Sequence, residues 1–306
     1  MNFISTIQIP KAKQTITHHN RVLCVGSCFA QNIARKLCEN GFDACNPFGA
    51  LYNPLSIAQG ITYAVQGSPI RPDTLILQDE QWHHMDFHSD FSHSHIDTAL
   101  AQINTAIANA HQAWQNSHVL IITLGTAWCY TWHQTGKVVG NCHRLPASQF
   151  TRHRLSLTTL TETLQSICNQ AQDKHIILTV SPIRHWKDGA HQNNLSKALL
   201  LLACEQIEQQ FKNVSYFPSY EIMIDELRDY RFYADDLMHP SPMAIQYIWE
   251  RFAETYFDQT TQKACAQWQK IEQMRQHRPF NTQSEAYKQL QQKIAHQQQQ
   301  WHQLYK

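Results

Sequence analysis

Three polar residues have the types and spacing needed for acyl transfer: Ser27, in the turn Gly26-Ser27-Cys28, and the pair Asp236 and His239, three positions apart in YADDLMHPSP at 233–242. A serine hydroxyl attacks a carbonyl when an imidazole takes its proton, and the imidazole serves best when a carboxylate fixes its other nitrogen. One loop can supply that carboxylate and imidazole together. Pro240 biases His239 away from helical conformation, Ser241 is a natural N-cap and Pro242 a natural first helical residue, so Asp236 to His239 should form the loop entering a helix. Each residue also has a plainer use: Ser27 as the cap of the helix that follows it, Asp236 as a turn former, His239 as a structural imidazole.

The elements that would position these residues follow from hydrophobic periodicity. Ser27 comes directly after the apolar run VLCV at 22–25; VLIITL at 119–124, HIILTV at 175–180 and VSYF at 214–217 read as further buried strands, with weaker strand character in GFDACN at 41–46. Amphipathic stretches at 29–40, 97–115, 156–171, 192–212 and 242–257 read as helices. Alternating strands and helices predict an α/β fold with a mostly parallel sheet covered on both faces, and such sheets collect reactive groups at the carboxyl ends of their strands. From about residue 259 the chain becomes Gln-rich and helical, with a break around RPFN at 278–281, which divides it into 1–258 and a helical extension, 259–306. In the extension Tyr287, Leu290, Ile294, Trp301 and Leu304 repeat at heptad-like spacing, with Gln297 in the remaining inward slot. Docking on the same chain and pairing in a homodimer through these helices would both bury that stripe.

Composition removes several function classes. Among 306 residues, 25 Lys and Arg stand against 24 Asp and Glu, which gives no electrostatic reason to expect nucleic acid or an anionic membrane as partner. The 19 His should add positive charge below about pH 6.5. No stretch approaches the roughly 18 apolar residues of a membrane span and the N-terminus lacks a signal-peptide run, so a cytoplasmic protein is expected. The nine Cys include no C-x-x-C pair and read as reduced, mostly buried thiols. No G-x-G-x-x-G or P-loop pattern calls for a nucleotide, and no cofactor is expected. His84, Asp86 and His88, in EQWHHMDFHSDFSHSH at 80–95, superficially suggest a metal cluster but lack tight ligand spacing, and this stretch reads better as an exposed His-rich loop or lid. Cys28 is the rival nucleophile, since a helix N-terminus can lower a thiol pKa. Six residues separate it from Arg35, one more than in the phosphate-binding turn of low-molecular-weight phosphatases.

GSCFA at 26–30, NPFGALYNP at 46–54, LGTAWCY at 124–130, NCHRLP at 141–146, SPIRHWKDG at 181–189 and DDLMHPSP at 235–242 together resemble the GSCFA family, within the broader SGNH (GDSL-like) hydrolases. That resemblance implies a flavodoxin-like three-layer sandwich with strand order 2-1-3-4-5, Ser27 as nucleophile, His239 as general base and later acid, and Asp236 orienting His239. It also implies oxyanion donors from a Gly, here Gly49, and from the Asn of a G-x-N-D block, which this chain replaces with GTAW at 125–128. The Ser27 N–H, Asn53, Gly125, Thr126 and Asn141 are alternative donors. Arg184 and His185, with Trp186 and Lys187, are placed to line the same pocket, a structural ion pair between Arg184 and a nearby carboxylate being the equal alternative. Trp128 and His143 read first as ordinary loop packing and second as substrate contacts. The expected activity is that of a serine esterase on a small-molecule or carbohydrate acyl ester, working through an acyl-enzyme. An O-acyltransferase on the same triad and a non-catalytic binding module are the alternatives.

Overall fold

In a computed structural model, described for residues 5–276, 280–281 and 283–306, ten strands are arranged in three sheets. They are β1 (Arg21–Gly26), β2 (Asp43–Cys45), β3 (Ile76–Gln78), β4 (Gln81–His83), β5 (Val119–Leu124), β6 (Trp128–Trp132), β7 (Val138–Val139), β8 (Phe150–Arg154), β9 (His175–Val180) and β10 (Val214–Phe217). The central sheet runs β2-β1-β5-β9-β10, entirely parallel, which is the order 2-1-3-4-5 of its own five strands. Its middle strand, β5, is buried at every position, and that is why VLIITL is an unbroken apolar run rather than an alternating one.

Side chains on successive strand residues leave opposite faces and build two cores. Leu23, Val25, Leu120 and Ile122 face a cluster with Ile57 and Ile61 of α2 (Pro54–Gln66), Ile103 and Ile107 of α3 (Ile96–Asn116), Leu160 and Leu164 of α4 (Leu157–Gln170) and Leu200 of α5 (Gly189–Gln210). Val22, Cys24 and Ile121 face Phe29, Ile33 and Leu37 of α1 (Cys28–Glu39) and Ile248 and Phe252 of α7 (Pro242–Tyr256), α6 being the short turn Ser219–Glu221. The result is a three-layer α/β sandwich with helices on both faces.

Three local structures were not anticipated. Helix α2 starts with Asn53 capping the Ser56 N–H at 2.9 Å and Pro54 in its first turn, and ends on Gly67 at φ +64°, so its punctuation was present in the sequence. Strands β6, β7 and β8 form an antiparallel sheet of their own, and β3 with β4 a short hairpin. The hairpin pulls the His-rich stretch inward: His83 and His84 are buried, with His83 stacked on His143 at 4.4 Å, so this part of the stretch is not an exposed loop.

The C-terminal helices α8 (Gln259–Arg275) and α9 (Glu285–Tyr305) pack on each other and on the end of α1. Trp301, 2% exposed, packs against Trp268 with the rings tilted at 54° and 4.6 Å apart, and donates its Nε1–H to the Ala264 carbonyl. Gly41, at φ +86°, makes room for both indoles, since a Cβ there would lie 2.9 Å from each ring. Gln269 adds a hydrogen bond to Asn40 Oδ1. Intrachain docking therefore accounts for the buried part of the stripe. Leu304 departs from the expected pattern: it is 69% exposed and Tyr305 packs inward in its place. The break expected at 278–281 falls partly outside the described residues.

Trp301→Ala should destabilise the protein by about 3–5 kcal/mol in urea unfolding, as expected for a buried indole replaced by a methyl group. Leu304→Ala should stay within about 0.5 kcal/mol. Equal effects from the two would show that the tail is not docked through Trp301.

Candidate active site

The turn after β1 is shaped by a close approach. Gly26, at φ +137°, lies so near β5 that a Cβ on it would sit 2.1 Å from the Thr123 carbonyl oxygen, which only glycine tolerates. Ser27 continues the ladder, its N–H donating to Thr123 O at 3.0 Å, before the chain enters α1. Its Oγ accepts the Phe29 N–H at 3.3 Å, so the capping role is realised. The side chain is 1% exposed and is bounded by Gly125, where an added Cβ would stand 3.3 Å from Ser27 Cβ and 2.7 Å from the Tyr52 carbonyl oxygen.

Asp236 and His239 meet as their spacing predicted. Asp236 Oδ2 lies 2.5 Å from His239 Nδ1, while Oδ1 accepts the backbone N–H groups of Met238 and His239, each at 2.9 Å. Those two N–H groups, and then the imidazole, hold the Asp236 carboxyl down to about 2. The loop is closed by a bridge between Tyr233 and Pro240 and by the Ala234 N–H on the His239 carbonyl, with Leu237 at φ +56° in its corner. Ser241 caps α7 through the Ala244 N–H. With Nδ1 engaged, Nε2 is the imidazole nitrogen left for a substrate or a serine proton.

A cleft of about 370 Å³ is lined by His239, by Cys28 beside Ser27, and by Asn53, Thr126, Arg184 and His185. Trp128, Tyr130 and Arg152 of the β6–β8 sheet form one wall. Among the described residues, no hydrogen bond joins Ser27 Oγ to His239. Gly49, Asn141 and His143 are not part of this lining. Gly49 packs near Gln31 and His88, and Asn141 donates to Ser89 Oγ and accepts the His143 N–H. His143 is buried against His83 with Nε2 on the His84 carbonyl, and burial lowers its pKa to about 4.

Most of the expected oxyanion donors are already engaged. The Gly125 and Thr126 N–H groups both donate to Tyr52 O, at 2.9 and 3.0 Å, and the Ser27 N–H is held by Thr123. Asn53 spends its side chain on Ser56, and the Thr126 hydroxyl pairs with Ser196 Oγ at 3.1 Å. The Cys28 thiol is raised, chiefly by burial, which is the opposite of an activated thiolate. His84 and His88 spend Nδ1 locally, on the Asp86 and Asp90 N–H groups. Among the described residues, no group of three or more His, Cys, Asp or Glu is disposed to hold a metal ion.

Several residues of the site were missed in the sequence, among them Tyr52 and Arg152 of the cleft lining and Lys197 behind it. Lys197 of α5 is 1% exposed and donates to Gly125 O at 2.7 Å and Ser181 O at 2.8 Å, tying together the chain just beyond β5 and β9. Burial, and then the Arg184 guanidinium, lower its pKa to about 7. His185 is lowered to about 4 by burial, with Lys197 and His239 adding repulsion, which places all three in one electrostatic neighbourhood. The signal was legible: Lys197 stands with Leu200 and Cys204 at helical spacing on the buried face of α5.

A lysine whose folded-state pKa lies below its unfolded value of about 10.5 makes stability rise with pH between the two values, because the unfolded chain then holds the extra proton. The unfolding free energy of the wild type minus that of Lys197→Met should therefore climb from pH 7 toward pH 10, by at most about 1.4 kcal/mol per unit. A difference independent of pH would mean that Lys197 ionises alike in both states. Gly26→Ala should cost several times the usual glycine-to-alanine penalty of about 1 kcal/mol at a positive φ, read from the same unfolding curves.

No curated protein matches this chain. Among solved structures it is similar to an acetyl xylan esterase (Est2A) from the rumen bacterium Butyrivibrio proteoclasticus, at 12% identity and a TM-score of 0.37. The match covers 81% of this chain and 64% of that one, so this chain spans less than two thirds of that protein's length. Residues 268–306 match the C-terminal domain of GSCFA domain proteins. Residues 21–252, most of the chain and every residue of the candidate site, match the GSCFA family, and the protein belongs to that family.

Proposed function

We propose that this GSCFA protein is a serine esterase of the SGNH type, and the observation that carries the reading is the Asp236–His239 pair, 2.5 Å apart, on the cleft shared with the residue next to Ser27. Ser27 Oγ leaves its cap and attacks the ester carbonyl carbon while His239 Nε2 takes the hydroxyl proton. The capping bond given up is worth about 1 kcal/mol, small against a catalysed barrier. The bond to the leaving oxygen breaks as His239 returns the proton to it, giving an alcohol and an acyl-Ser27 ester. Water then attacks that ester with His239 again as base, releasing a carboxylic acid and restoring the serine. Asp236, ionised down to about pH 2, keeps Nδ1–H aimed and stabilises the imidazolium without taking its proton. The Cys28 N–H, first of α1 and without an acceptor inside the helix, is the donor that serves the developing oxyanion. A hydroxyl acceptor in place of water would turn the same steps into O-acyl transfer.

A second reading, a binding module without turnover, is favoured by the engagement of the Ser27, Gly125 and Thr126 N–H groups and by Ser27 Oγ resting in its cap.

On short acyl esters, Ser27→Ala should lower turnover by about a thousandfold to a millionfold with the circular dichroism spectrum unchanged, and Asp236→Asn by about ten-thousandfold. Cys28→Ala should keep both turnover and labelling by a fluorophosphonate. Activity that survives Ser27→Ala and disappears in Cys28→Ala would sink the nucleophile assignment. A folded wild type that neither turns over esters nor labels would select the binding module.

A further inference from the structure

The cleft carries a concentration of positive charge that the whole chain, at a formal +1, does not. Arg152, Arg184 and Lys187 line it, and Lys197 lies directly behind. Among the described residues, no Asp or Glu is part of the lining. Among the described side chains, the nearby carboxylates are committed elsewhere: Asp236 to His239, and Asp229, in the hollow on the far side of Arg184, to Arg231.

Two of these cations are poised rather than neutralised. Arg184 has its guanidinium 5.0 Å over the Trp186 ring, its Nε has no acceptor, and no carboxylate pairs with it among the described residues. Lys187 donates to the Tyr130 hydroxyl at 2.7 Å and lies 5.1 Å over that ring, again with no described carboxylate. Stacking on aromatic faces fixes both side chains without discharging them, and Trp186, 44% exposed, leaves a bare ring at the rim. A cation with no counter-ion among the described residues, such as half-buried Arg184 or Lys187 at the rim, gains from an anion that arrives with the ligand, through charge-assisted hydrogen bonds in a cleft that focuses the field.

We propose that the substrate is an acyl ester bearing an anionic group, carboxylate or phosphate-like, which Arg184 and Lys187 hold while the aromatic rings of Trp128 and Trp186 cover its apolar part. This rests on the esterase reading for the words acyl ester; the anion site itself does not.

The test is titration calorimetry on the full-length Ser27→Ala chain, so that turnover does not obscure binding. The probes are monomethyl succinate, methyl phosphonoacetate and the neutral methyl butyrate. At least one anionic probe should bind about tenfold or more tightly than methyl butyrate, with affinity falling as salt is raised, and the tighter of the two identifies the anion. Arg184→Gln, made in the same background, should remove most of that preference. Lys187→Gln, at an exposed position where folding is not at stake, should lower it about threefold. Equal affinity for the charged and neutral probes, or a preference unchanged in Lys187→Gln and in folded Arg184→Gln, overturns the proposal. Anion binding in a protein that hydrolyses no ester would leave this site standing and remove the esterase. Turnover of neutral and anionic esters alike would do the reverse.

Discussion

The contact on which the rest of the molecule depends is the approach of Gly26 to Thr123. Two neighbouring parallel strands run close enough there that no side chain fits between them, and the ladder extends one residue further through the Ser27 N–H before α1 begins. That single geometric demand fixes the direction in which α1 leaves the sheet, and so which of its residues join the core beneath β1. It also sets the position of Ser27, enclosed between the sheet, the Gly125 backbone and the first turn of its own helix. A glycine before a serine reads in the sequence as a flexible or reactive turn, but here it is first a spacing requirement of the sheet.

The central architecture was readable because its signals are local and strong. Buried parallel strands leave unbroken apolar runs, and helices with one covered face leave a 3.6-residue repeat, so all five central strands and five of the helices fell within a few residues of their expected bounds. The β6–β8 sheet was not legible, because WCYTW lacks a clean apolar-polar alternation and FTRHR is one apolar residue followed by four polar ones, in stretches too short to set apart from loops. The Asp236–His239 loop was legible for a different reason: two prolines and a capping serine leave little conformational choice. What no sequence pattern expresses is competition for backbone donors. Gly125 and Thr126 are expected from the sequence as oxyanion donors, yet the Tyr52 carbonyl already takes both of their N–H groups. Similarly, the 19 histidines do not titrate as one population, since burial keeps His18, His143, His175 and His185 neutral down to about pH 4.

Lys197 shows how charge is carried into such a site. A buried ammonium is costly, and its two carbonyl partners offset part of that cost with directional bonds that brace the chain where β5 and β9 end. The same placement puts a positive source behind His185 and Arg184, so a group that looks structural by its contacts is electrostatic in its reach. Burial of the Cys28 thiol works in the other direction, suppressing a nucleophile that stands next to the candidate serine in the chain.

The antiparallel sheet of β6, β7 and β8 shares no ladder with the parallel one. Its strands lie in one continuous stretch between β5 and α4, and it contributes Trp128, Tyr130 and Arg152 to the cleft without contributing to the Ser27 turn or the Asp236–His239 loop. The wall of the cleft and its chemistry are therefore encoded in separate lengths of chain. An insertion, deletion or exchange confined to residues 128–154 can reshape what enters while leaving the central scaffold's register untouched, which makes this stretch the natural place for relatives to diverge in selectivity and for grafting experiments to begin.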